Sequence, residues 1–214
     1  MPGNDIRAYV LAAGLVGWSG LVAPRLPARW LVPVQASLGA VLVARARAPL
    51  GMRPPAAGRG VRLGLVVAGV VSAAVASSTA LPRIRHAMHE QEVPPGAAAW
   101  LLIRIPIGTV WSEEAAFRAA LGTVAAQAFG SRLGRVVQAG AFGLSHVADA
   151  RGAGRSVAGT VLVTGVAGWV FGWLNDRAGS IVAPMLAHLA INEAGAVAAL
   201  VVRSQTLRLS ISRR

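Results

Sequence analysis

Cysteine and lysine are both missing from this 214-residue chain. The first absence excludes disulfides and thiolate metal ligands, and with them cysteine-protease chemistry. The second leaves all 21 basic residues as arginine. Acidic residues are scarce, eight in all, so the net charge is +13. Charged residues of every kind make up 14% of the chain against 55% hydrophobic, and the mean hydropathy is +0.58. An ordinary soluble domain is not built this way. Short alternating apolar segments are lacking too. The apolar residues come in long runs, which argues against a soluble α/β fold with buried strands.

Residues 8–24, 63–82 and 156–175 contain no charged residue at all. Each run is close to the roughly 20 residues that cross a bilayer as a helix. The expected fold is therefore all-α, a polytopic transmembrane bundle of seven or eight helices forming one membrane domain. Helices are expected at 7–23, ending at Pro24, at 28–44 with Trp30 at an interface, and at 61–81. Further helices are expected at 96–130, broken near Pro106, and at 135–150, 155–175 and 180–202. The count becomes eight if 96–130 is two pieces. Residues 45–60 form a Pro/Gly/Arg-rich loop. Residues 82–95, with His86, His89, Glu90, Glu92 and Pro94-Pro95, read as a solvated loop. The short polar start, Met1 to Arg7, leads straight into the first apolar run, which reads as a retained membrane helix and not a signal peptide.

The arginines lie between apolar runs. Arg45, Arg47, Arg53, Arg59 and Arg62 share one loop, and Arg203, Arg208, Arg213 and Arg214 sit in the tail. That distribution suits loops facing the cytoplasm and anionic lipid, so no nucleic-acid partner is expected. The expected location is the cell membrane as a multi-pass protein. The Arg-for-Lys, Ala/Val-rich composition suggests a GC-rich bacterium, hence its inner membrane.

Polarity within the apolar regions is confined to three segments. Residues 1–95 then read as scaffold helices, 96–202 as a core that carries chemistry, and 203–214 as a basic tail. Two adjacent acids, Glu113 and Glu114, lie in the first polar segment, His146 in the second, and His188 with Asn192 in the third. Ionisable groups at bilayer depth are costly and mark function by default. Glu114 and Arg118 are four apart, share a helix face and can neutralise each other. Glu113, about 100° around the helix, is left to face a cavity. His188 and Asn192, also four apart, can address one centre, and Asp149 is placed to orient His146.

A carboxylate and histidines around one water can remove its proton and aim it at a carbonyl, while an amide and a second imidazole hold the oxyanion. The same residue types could instead bind Zn2+. A non-enzymatic alternative is a proton-coupled carrier or a bacteriocin immunity or scaffold factor, since carriers also place acids and histidines in the membrane. Arg132, Arg135 and Arg177 flank the polar segments and point to a cavity mouth on the cytoplasmic side.

Glu113-Glu114 with Arg118, then Phe142 with His146, then His188 with Asn192, appear in that order. Phe171-Gly172-Trp173-Leu174 and Arg177-Ala178-Gly179-Ser180 lead into Pro184, four residues before His188. This order over about residues 96–195 resembles the CPBP (Abi) family of CAAX proteases and bacteriocin-processing enzymes. Ser112 and Ala119 stand where that family commonly has Gly. The resemblance implies a peptidase in which Glu113 activates water with help from His146. His188 and Asn192 would hold the oxyanion, or His146 and His188 a metal ion. Glu114, Arg118 and Phe142 would support the site. It implies a peptide, lipidated protein or membrane-protein segment as substrate, and either Zn2+ or no cofactor.

Overall fold

The structure, a computed structural model, describes residues 2–90, 93, 94 and 96–211. Every regular element among them is helical. Inside a bilayer a helix satisfies its own backbone groups, so charge-free runs of this length have one stable form. The first, α1 (Pro2–Gly17), continues through a wider π-wound segment (Trp18–Val22) and a tight turn (Ala23–Arg25). It stops where Leu26 becomes extended ahead of Pro27, the conformation that a following proline favours. Helix α2 (Ala28–Ala46) ends at Arg47, whose left-handed backbone (φ 50°) turns the chain. Helix α3 spans Ala56–Ser78.

The segment expected as a solvated loop is corrected in part. Pro82–Glu90 forms a short polar helix, α4. Pro82 occupies its first position, where the missing N–H is not needed. His86 and Glu90 pair across one turn at 3.2 Å on its exposed face. Glu92 and Pro95 of that segment lie outside the described residues.

A single turn, α5 (Ala97–Ala99), opens the polar core and passes into π-wound segments at Trp100–Trp111 and Glu114–Leu121. Pro106 sits inside the first. Proline removes an N–H and crowds the carbonyl four residues back, and the wider winding accommodates both. The Ser112 hydroxyl donates to the Ile107 carbonyl, five residues back, at 2.8 Å. Helix α6 (Gly122–Ser145) then reverses sharply at Gly130 (φ 79°, ψ 165°). Only glycine enters that backbone region readily. The expected break after residue 130 is there, but the next segment ends at Ser145 and not at residue 150. His146 stands at the joint with the short helix α7 (Val147–Gly152).

Helix α8 (Val157–Ala178) starts on Ser156, whose hydroxyl accepts the Gly159 N–H at 3.2 Å. It closes on Gly179 at φ 64°, the usual left-handed helix stop. Ser180 accepts the Val182 N–H at 3.2 Å and starts α9 (Val182–Ile211), which runs on past Val202.

Close contacts fix the directions of these helices. Arg7 donates to the Arg45 carbonyl, so α1 and α2 are antiparallel. Arg135 grips Asp176 across the antiparallel pair α6 and α8. Gly60 and Gly64 lie against Ser180 and Leu186, so α3 and α9 run parallel. The bundle therefore has two ends. One gathers Arg7, Arg45, the 47–55 loop, Arg135 and Gly179. The other gathers Pro24, His146 and Ser156.

Among the described residues, four helices are long and apolar enough to cross a membrane: Gly3–Arg25, Ala56–Ser78, Val157–Ala178 and Val182–Gln205. Their surroundings invert the soluble pattern. Leu102, Leu162, Val163 and Val66 are at least two-thirds exposed, whereas Glu114, Arg118, Gln138 and His188 are buried. Apolar groups outside and polar groups inside is the arrangement lipid demands.

Candidate active site

The π-wound segment at Glu114–Leu121 is buried along its whole length, and it carries charge into the centre of the bundle. Glu114 Oε2 lies 3.2 Å from Arg118 Nε, both side chains fully enclosed. This is the pairing that the spacing predicts. Glu114 has a second partner: its Oε1 accepts from His188 Nδ1 at 2.8 Å, bringing α9 to the same point. A carboxylate shared between a guanidinium and an imidazole is a charge-assisted arrangement that fixes both partners.

Aromatic rings enclose the group. The Arg118 guanidinium lies 3.8 Å from the centre of the Phe142 ring and 4.9 Å from that of Phe171. Phe171 also stacks on His188, with ring centres 5.0 Å apart and planes at 26°. Phe142 meets His146 edge-on at 4.8 Å. Phe142 thus touches both Arg118 and His146. The part of Phe171 is not legible from spacing; the only signal is its place at the head of the Phe-Gly-Trp-Leu stretch.

Glu113 faces away from Arg118 into a cavity of about 230 Å³. Ser112, Glu113, Ser145 and His146 line it together with Gln35 of α2 and Asp149 of α7. His146 is not oriented by Asp149, as expected from their spacing. Its Nδ1 meets the Phe142 carbonyl at 2.8 Å and the Ser145 hydroxyl at 3.2 Å. Because His146 follows the last residue of α6, its ring reaches a carbonyl of the terminal turn. A carbonyl oxygen only accepts, so Nδ1 carries the proton and a neutral His146 offers Nε2 as a lone-pair base.

His188 lies beside this cavity without lining it. Its Nε2 is 3.9 Å from Glu113 Oε2, too far for a hydrogen bond. Asn192 is a turn further along α9, and its Nδ2 donates to the His188 carbonyl at 3.1 Å. The amide is satisfied by its own helix and keeps one N–H for another acceptor. The structure thus brings Glu113, His146 and His188 together and leaves Asn192 at the edge.

The lining of the Glu113 cavity includes Ala23 and Pro24, so it lies toward the Pro24 end. Arg135, by contrast, is at the opposite end with Asp176, which corrects the expected mouth beside Arg132, Arg135 and Arg177. The order of helix crossings reverses that expectation, and Arg25, Arg29, Arg151 and Arg155 follow the Pro24 end.

Zn2+ needs three or four protein ligands with lone pairs facing one point. Among the described residues no set of three His, Asp or Glu side chains is so arranged. His188 Nδ1 meets Glu114 and His146 Nδ1 the Phe142 carbonyl, which leaves each Nε2 free, as in a metal-ligating histidine. His188, however, does not line the cavity that Glu113 and His146 share, so these three donors do not face one point.

Residues 95–194 match the family model of type II CAAX prenyl endopeptidase Rce1-like proteins. The match covers all three motif segments. No curated protein and no solved structure matches the chain.

Proposed function

We propose that this multi-pass membrane protein is an endopeptidase, a reading supported by the match of residues 95–194 to the Rce1-like family of type II CAAX prenyl endopeptidases. Its substrate is a peptide bond in a membrane-associated or lipidated protein. Residues 1–95 serve as scaffold, and seven crossings of the bilayer account for the alternating helix directions.

Glu113 is the general base. Its carboxylate takes a proton from water in the cavity, and the water oxygen forms a bond to the carbonyl carbon. His146 Nε2 accepts a hydrogen bond from the water's other O–H, which stays on the oxygen, and so aims its lone pair. The carbonyl electron pair moves to oxygen, where the remaining Asn192 N–H and a protonated His188 Nε2 stabilise it. As the C–N bond breaks, Glu113 returns its proton to the leaving nitrogen. Glu114 and Arg118 hold His188 in place and touch no reacting atom.

One observation carries this reading. Of the two adjacent glutamates, Glu114 is neutralised by Arg118 and His188, while Glu113 shares a cavity with the free nitrogen of His146. The test is cleavage of a lipidated, fluorescence-quenched peptide by detergent-purified protein. Glu113→Gln is expected to lower kcat by about 10²–10⁴-fold, the usual worth of a general base, with an unchanged melting temperature. Wild-type cleavage by Glu113→Gln would overturn the assignment.

A further inference from the structure

A second cavity, of about 550 Å³, lies at the arginine-loop end, across the Arg118 layer from Glu113. Nine of its lining side chains are polar, among them Arg47, Arg118, Arg135, Gln138, Asn175 and Asp176. Two of them are deep. Arg118 and Gln138 are 2% and 1% exposed. The faces of Arg118 are occupied by Phe142 and Phe171, and its Nε edge by Glu114. Its Nη1 and Nη2, and the Nε2 of Gln138, have no hydrogen-bond partner in the protein. All three are donors only, so their complement is an acceptor.

Charge points the same way. Asp176 is the only acid in the lining, and Arg135 holds it at 2.6 Å. Arg118 is balanced by Glu114. Arg47 remains as surplus positive charge, exposed at the rim on a left-handed backbone that swings it off the end of α2. The space is built. A Cβ on Gly172 would stand 2.9 Å from both Arg135 Cγ and Gln138 Oε1, so only glycine lets those side chains sit back. Pro49, Asp176 and Gly179 place the cavity among helix ends, at the depth of lipid headgroups.

We propose that this cavity binds a phosphate oxyanion, supplied by a lipid headgroup or by free phosphate. A guanidinium edge, an amide and a rim arginine approach from separate directions, which suits a tetrahedral anion with several acceptor oxygens. The site stands apart from peptide hydrolysis: none of the residues lining the Glu113 cavity lines this one.

The experiment measures melting of the detergent-purified full chain. Inorganic phosphate is titrated against chloride of equal ionic strength, and a short-chain phosphatidylglycerol against phosphatidylcholine of the same chain length. Wild type is expected to melt higher with phosphate or with the anionic lipid. A response to both identifies the anion itself as the ligand, and a response to the lipid alone identifies a headgroup site. Arg47→Gln and Gln138→Leu are each expected to weaken the response at least tenfold in concentration. Arg47 is exposed, so its variant decides the matter if Gln138→Leu does not fold. No response to either ligand, or an undiminished response in Arg47→Gln, overturns the proposal.

Discussion

At the scale of single residues, the pair Glu114 and Arg118 separates structure from chemistry. Both side chains are buried at the centre of the bundle. Arg118→Ala leaves Glu114 with His188 alone, and removing one partner of a buried pair costs about 3–5 kcal/mol. We expect a large drop in the melting temperature of the purified variant, in contrast to Glu113→Gln. An Arg118→Ala protein that melts like wild type would contradict the role given to the pair. This much was legible from the sequence because residues four apart on a helix are neighbours whatever the tertiary fold. The contact from Glu114 to His188 spans 74 residues of chain, and no local rule foretells it. The bonding partners of Asn192 and His146 were illegible for a related reason. Both sit where a nearby backbone carbonyl captures a side-chain N–H, and local capture of this kind competes with the longer reach that spacing suggests.

At the scale of elements, the reversal inside α6 sets the site. It lets Thr123 and Gln127 face one end of the bundle while Ser145 and His146 return to the other. Gly130 makes the turn and Gly134 permits its closure. A Cβ on Gly134 would lie 2.7 Å from the Ala125 carbonyl carbon and the Ala126 nitrogen, and backbone cannot move aside. Gly134→Ala should therefore destabilise by about 1–3 kcal/mol, the range for overpacking. Gly140→Ala, with nothing within 4 Å, should be neutral or gain about 0.4–1 kcal/mol. Equal melting temperatures for the two variants would refute the close packing. The end of a segment at residue 130 was legible in the sequence, but the fold-back that Gly130 makes there was not. Likewise, the prolines around 82–95 signalled loop, yet Pro82 opens a helix because a first-turn proline costs nothing.

At the scale of the whole molecule, the apolar runs gave the helices reliably, because a bilayer leaves a charge-free run no alternative. Sidedness was less legible, because arginine follows both ends of the bundle. The helix directions make a sharper statement. Arg25 and Arg177 belong to opposite ends, and the chain has no native thiol to interfere. Single cysteines at positions 25 and 177 should react with an impermeant thiol reagent from opposite sides of intact vesicles. Labelling of both from one side would break the proposed seven-crossing order. The two cavities reach inward from these opposite faces, with Phe142, Phe171, Glu114, Arg118 and His188 between them. The hydrolysis proposed above needs water to half the depth of the membrane, and a wet path through the whole depth would be a leak. Here Glu114 is paired to both Arg118 and His188, so its charge is held in place between the two cavities.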